Sequence, residues 1–177
     1  MACNLISNRT EPCKDSLGGN KKAFFLNYLE DAFTVEAGEA TAINVAVTEV
    51  FQYDLRADGN TAVESPVSDK NTGTTVNTQT ITLALKKQDK ATALEVDLMA
   101  KGRPIIVMQD RNGNYKAFGI SEGMDMTASD INSGGAQSDF NGYNLTFTAM
   151  EGKLAPFLDS ATITALEALV SETTITP

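Results

Sequence analysis

The sequence predicts a mainly β domain of the α+β class, a sheet with one helix laid on it, and three stretches carry that prediction. Residues 89–101 have the caps and periodicity of one short helix. Asn112-Gly113 lies between two apolar runs and marks a tight hairpin. Tyr143, Leu145, Phe147 and Ala149 alternate with Asn144, Thr146, Thr148 and Met150, as a strand with one face on a core requires.

Asp89 suits the N-cap of the helix, because its carboxylate can accept from amides one turn on. Ala91, Leu94, Leu98 and Met99 recur at helical spacing and predict the apolar stripe. Lys101 complements the dipole in the last turn, Gly102 offers a left-handed stop, and Pro104 prevents resumption. In the hairpin, a two-residue type I′ turn at Asn112-Gly113 would pair Arg111 with Asn114, Asp110 with Tyr115 and Val107 with Phe118. Ile105-Ile106-Val107-Met108 is a continuous apolar run, so this strand should be covered on both faces. Asp110, Arg111, Asn112 and Gly113 then form a charged tip projecting into solvent.

The remaining chain takes its place around this centre. Residues 1–22 are polar and turn-rich and read as an N-terminal arm. Ala23 to Leu29 is a strand with some burial on both sides, and Phe33-Thr34-Val35 continues it after a bend. Ala40 to Tyr53 is the longest strand candidate, with Ile43, Val45, Val47, Phe51 and Tyr53 on one face. Residues 54–79 are the most polar long segment, a long loop or arm. Connections of that length are usually functional or disordered, so it is either an arm or long hairpin lying on a neighbouring subunit or a plain surface loop. Its candidate contact residues are Asp58, Asn60, Glu64, Asp69, Lys70 and Asn71. Ile81, Leu83 and Leu85 point inward from the next strand. A second polar loop spans 129–139. In the C-terminal extension, 159–177, Asp159 or Ser160 suits the cap of a short helix carrying Ile163, Leu166 and Val170 on one face. No internal repeat or domain boundary divides the 177 residues.

Composition excludes some chemistry. The chain has no His, so a His-dependent triad or a His-ligated metal is excluded. The net charge of −9 disfavours a surface that grips nucleic acid through its phosphates, yet suits a wall past which it must slide. Cys3 and Cys13, the only cysteines, match no zinc spacing and make no disulfide scaffold. The first ten residues hold no apolar run of signal-peptide length, and no stretch approaches a membrane span; the expectation is a chain made in a cytosol. Asp125, Asp130 and Asp139 surround a Gly-rich loop, but their spacing fits no EF-hand. The carboxylates show no acid–base pairing, and no nucleophile elbow is present. The sequence thus predicts no enzyme and no cofactor.

Several pieces in order carry a resemblance. They are Cys13-Lys14-Asp15-Ser16-Leu17-Gly18-Gly19, a Thr/Leu strand ending Lys86-Lys87, the short helix, and Val107-Met108-Gln109-Asp110-Arg111-Asn112-Gly113-Asn114-Tyr115. Gly119, Glu122-Gly123-Met124-Asp125 and Asp139-Phe140-Asn141-Gly142-Tyr143-Asn144-Leu145-Thr146-Phe147-Thr148 follow. This order resembles small virion structural proteins of tailed bacteriophages and prophages of Bacteroidetes, including the crAss-like phages. It covers most of residues 13–158, and Asn141-Gly142-Tyr143 is its most specific piece. The resemblance implies a tail-tube-like antiparallel β-sandwich or barrel with one packed helix and long inter-subunit loops. It implies a non-catalytic subunit that forms a closed ring with itself and stacks on adjacent tail, neck or portal proteins. Such rings form a tail tube or neck through which phage DNA passes without sequence-specific binding. Its place would be the virion, assembled in the host bacterial cytoplasm and away from any membrane. Residues 54–79 would reach the adjacent subunit. The competing class is a capsid decoration or fibre-associated β-sandwich binding module, for which 7% aromatics and no Trp offer few platforms.

Overall fold

The structure, a computed structural model, describes residue 5 and residues 7–56 and 58–176. Its strands are β1 (Asn20–Leu26), β2 (Phe33–Glu36), β3 (Glu39–Ile43), β4 (Phe51–Asp54), β5 (Thr61–Asp69), β6 (Thr74–Lys86), β7 (Ile105–Asp110), β8 (Tyr115–Phe118), β9 (Asp125–Asn132), β10 (Gly142–Glu151) and β11 (Phe157–Leu158). Helix α1 (Lys90–Lys101) joins β6 to β7, and α2 (Ser160–Ala168) follows β11. The first sheet runs β2-β3-β11-β8-β7-β1-β4 and the second β5-β6-β10-β9. Every pairing is antiparallel except β11 with β3.

The mainly β, α+β prediction holds, as an open sandwich. The barrel alternative does not, because β2 and β4 end one sheet and β5 and β9 the other, with no pairing that closes either. Phe25, Ile106, Met108 and Phe118 of the first sheet share a buried cluster with Ile81, Leu83, Tyr143, Leu145 and Phe147 of the second. The Phe25 and Phe147 rings meet edge-on at 5.7 Å. Each such fully buried side chain contributes about 1.5–3 kcal/mol of transfer free energy. On the first sheet's other side, Phe24, Leu26, Ile105 and Val107 form a second cluster with Val50 and with Leu166 of α2. The molecule therefore has three layers, and the central strands β1 and β7 of its middle sheet are covered on both faces from Ala23 to Leu26 and from Ile105 to Met108. That is why Phe24-Phe25-Leu26 and Ile105-Ile106-Val107-Met108 are unbroken apolar runs.

Gly142 has a steric reason to be glycine. A Cβ there would sit 2.1 Å from the Leu85 carbonyl oxygen, where β10 pairs with the end of β6.

Several elements differ from their sequence prediction. Asp89 does cap α1, with Oδ1 accepting from the Ala91 and Thr92 amides at 2.9 Å. The buried stripe, however, is Thr92, Val96 and Met99, whereas Leu94 and Leu98 are 59% and 53% exposed. The helix has two apolar faces, and periodicity alone cannot say which one packs. Gly102 stops it in extended conformation (φ −94°, ψ −178°), not left-handed. The hairpin register is one residue shorter on β8: Gln109 faces Tyr115 and Val107 faces Ala117. Only Gly113 takes positive φ (+88°), so the loop is Arg111-Asn112-Gly113, a turn followed by a left-handed glycine.

The strand expected over Ala40 to Tyr53 is two strands. Asn44 Oδ1 accepts from the Ala46 amide at 3.0 Å, an Asx turn that breaks the ladder and leaves Val45 96% exposed. The loop expected over 54–79 is largely β5 and the first half of β6, a long hairpin closed at 70–73. Strand β9 runs on to Asn132, so the second polar loop is shorter than the expected 129–139. Asp159 caps α2, and the helix lies on the core through Leu166, which is fully buried. Val170 lies past the helix, bridged to Val50.

Candidate assembly surface

The β5–β6 hairpin extends past the strands that flank it in the second sheet. From Ser65 to Val76 every residue is exposed. Strand β10 accompanies β6 only as far as the Glu151–Asn77 pair, so among the described residues Val67–Asp69 and Thr74–Val76 pair only with each other. Three residues per arm carry the tip about 10 Å past the sheet. An isolated two-stranded hairpin is marginal in water. This one persists because its base is built into the second sheet.

The six residues nominated along this segment separate into different roles. Asn60 is 4% exposed; its Oδ1 accepts from the Ala84 amide at 2.8 Å and its carbonyl from Asn20 Nδ2 at 2.9 Å. Glu64 turns inward, accepting from Lys116 Nζ and from the Ala155 amide. Both hold the fold together, which leaves neither side chain for a neighbour. Asp58 is exposed in the turn before β5. Asp69, Lys70 and Asn71 are at the far tip, where Asp69 Oδ1 accepts from the Asn71 amide at 2.7 Å and its carbonyl from the Gly73 amide at 2.9 Å.

The second nominated tip, Asp110 to Gly113, is also engaged within the chain. Asp110 Oδ1 accepts from the amides of Asn112 and Asn114, both at 2.8 Å, and Oδ2 from Asn114 Nδ2 at 2.8 Å. Partial burial works against the charge, but these hydrogen bonds outweigh it and hold the carboxyl below its ordinary value. Asn112 presents its amide like a strand backbone: Oδ1 accepts from the Leu17 amide at 2.8 Å and Nδ2 donates to the Leu17 carbonyl at 2.9 Å. The Arg111 amide donates to the Gly19 carbonyl at 3.1 Å. The tip is a latch for the N-terminal arm.

Strand periodicity marks further residues beside the six nominated. Val63, Ser65 and Val67 on β5 and Val76 and Thr78 on β6 alternate onto the outward face. There Val63, Val67, Val76 and Met150 are 50%, 63%, 38% and 68% exposed. Val67 pairs with Val76, and Thr78 lies between Ser65 and Met150. Further along the same face run the rows Thr61–Thr82–Thr146 and Val63–Thr80–Thr148. Thr127 and Thr148 hydroxyls meet at 3.1 Å. The surface is hydroxyl-rich, with Asp69, Asp125 and Asp130 as carboxylates and Lys86 at one end. Threonine made the segment look polar and loop-like, although it is β-branched and favours strands.

Elsewhere, Asp139 Oδ2 accepts from the Gly135 and Ala136 amides at 2.9 and 2.7 Å, which lowers its pKa and commits it to a turn. Among the described residues, no group of three or more His, Cys, Asp or Glu gathers as a metal cage. Tyr53 is raised to about 12, by burial first and by Glu95 second. Tyr115 is raised too, by burial and by donating to Glu167 Oε1 at 2.7 Å. Cys13 is exposed, and Cys3 lies outside the described residues. No helix among the described residues is long and apolar enough to cross a membrane. No known family model, curated protein or solved structure matches the chain.

Proposed function

We propose that the chain is a non-catalytic structural subunit that assembles with copies of itself into a closed ring. The ring would form part of the tail tube or neck conduit of a tailed bacteriophage. The observation that carries the self-assembly is the β5–β6 hairpin, exposed from Ser65 to Val76 and bearing Val67 and Val76 on one face. A lone monomer gains nothing from ordering such an arm, and an unpaired β5 edge is a template for another chain. Pro66 on β5 limits that pairing to the rest of the strand. The virion setting rests on the resemblance in residues 13–158. The outward face of the second sheet, rich in threonine and with carboxylates as its charges over most of its length, suits a wall that phosphates pass without sticking.

Negative-stain imaging with mass photometry of the purified chain tests this. Closed rings with a bore wide enough for duplex DNA are expected. A variant in which residues 67–76 are replaced by a two-residue Asn-Gly turn should remain folded and stay monomeric. Rings that survive this shortening would overturn the role of the hairpin. Removing the whole of residues 58–72 also removes Ala62 and Glu64 from the sandwich and would unfold the base.

A further inference from the structure

A cleft of about 520 Å³ opens beside β4, the edge strand of the first sheet. Phe51, Tyr53, Leu85 and Glu95 line it together with Thr173 and Ile175 of the C-terminal segment. The backbone explains the opening. Leu55 donates its amide to the Lys21 carbonyl, so odd-numbered residues of β4 face β1. Val50, Gln52 and Asp54 therefore present their N–H and C=O groups outward. At Val50 a partner is already in place: its amide donates to the Leu169 carbonyl at 2.9 Å, and its carbonyl accepts from the Ser171 amide at 2.8 Å, a parallel bridge to Val170. One residue later the tail turns away, where the Thr173 amide donates to Ser171 Oγ at 3.3 Å instead.

We propose that residues 171–175 are a strap that zips onto β4 as a parallel eighth strand, and that the cleft is the slot for it. The register is set by the existing bridge. Gln52 would donate to the Ser171 carbonyl and accept from Thr173, and Asp54 would donate to the Thr173 carbonyl and accept from Ile175. Side-chain parity agrees. Val170 lies with Val50 in the cluster under α2. Ser171, Thr173 and Ile175 would follow Phe51, Tyr53 and Leu55 on the opposite face, so Ile175 fills the apolar end of the cleft. The segment Thr173-Thr174-Ile175-Thr176 is uncharged and β-branched, as a strand prefers. The Ser171 hydroxyl competes for the same Thr173 amide that the Gln52 carbonyl would take, which makes it the catch that holds the strap open. Closing removes one exposed edge from the sandwich, and opening leaves β4 able to receive another strand. This inference stands apart from the ring proposal, since it concerns the edge strand of the first sheet and needs no partner.

Amide hydrogen exchange at Gln52 and Asp54 reads the strap directly. Ser171→Ala removes the competing acceptor and should slow both amides by roughly tenfold relative to Thr173→Pro, which deletes the donor to Gln52. Amides of the buried strand β7 serve as the control for intact fold and should not change. Equal exchange at Gln52 and Asp54 in both variants would overturn the strap. So would protection that disappears on dilution, because the occupant would then be the tail of a second copy.

Discussion

Two hairpins of this molecule look alike in sequence and end in opposite situations. Both β5–β6 and β7–β8 close in polar turns built around an aspartate, Asp69 in one and Asp110 in the other. The β7–β8 strands are in the middle of the wider sheet, and their tip is spent on holding residues 17–19. The β5–β6 strands are at the edge of the narrower sheet, and among the described residues the hydrogen bonds of their tip stay within the hairpin. The difference teaches that a turn's chemistry fixes its shape, whereas its position in the sheet decides whether it is available to a partner.

The sharpest way to break the contrast is at the root of the projecting hairpin. Glu64→Ala leaves the Lys116 ammonium and the Ala155 amide without their acceptor; the Glu64 and Lys116 side chains are 12% and 30% exposed. Charge-assisted hydrogen bonds at such sites carry about 1.5–3 kcal/mol, so a loss of about 2–3 kcal/mol is expected in denaturant unfolding. An unchanged midpoint would show that β5 is not anchored through this residue.

Next in size is the engaged tip. Asp110→Ala removes the acceptor of four hydrogen bonds in the β7–β8 turn and should cost about 1–2 kcal/mol. Its acid dependence has a defined sign. The folded-state pKa of Asp110 is lowered, so its contribution is fully present above the unfolded carboxylate value of about 3.9 and is lost as pH falls through the folded value. Wild type minus Asp110→Asn, followed by thermal melts across that acidic window, should give a difference that shrinks as pH falls. A difference that is flat or grows would refute the assignment.

Much of this architecture was legible because local signals agreed with the global fold. The Asp89 cap, the alternation through Tyr143 and Phe147 and the unbroken run Ile105 to Met108 each say one thing, and each is observed. Where the signal was double, the reading failed. Helix α1 carries Leu94 and Leu98 on one side and Val96 and Met99 on another, and only tertiary packing chooses between them. Residues 61–78 alternate as a strand but are written in threonine and serine, so composition hid the period. Of the candidate surface, the sequence located the segment and its tip, Asp69 to Asn71. It could not show that Asn60 and Glu64 turn inward, because that depends on Ala84, Lys116 and Ala155 arriving from distant parts of the chain.

A smaller effect is expected where the latch meets the arm. Asn112→Ala cuts both hydrogen bonds to Leu17 at an exposed site, so global stability should fall by no more than about 1 kcal/mol. Limited proteolysis between Lys14 and Lys21 should nonetheless accelerate several-fold, since the segment loses its tether. Unchanged cleavage would mean the Arg111–Gly19 contact alone holds the arm.

The smallest effect on folding should be the most informative about function. Val67 and Val76 face each other across the free end of the β5–β6 hairpin and are 63% and 38% exposed. Replacing both by Ser leaves every core contact in place, so the thermal midpoint should move by no more than surface substitutions usually do, within about 0.5 kcal/mol. If the hairpin docks on a second copy, the same pair loses apolar area in every interface of a ring, and the losses accumulate with subunit number. Mass photometry should then show a shift from closed oligomers to monomers at unchanged stability. Loss of stability without loss of assembly would invert the comparison and make this hairpin, like its partner at Asp110, a part of the fold and not a means of joining subunits.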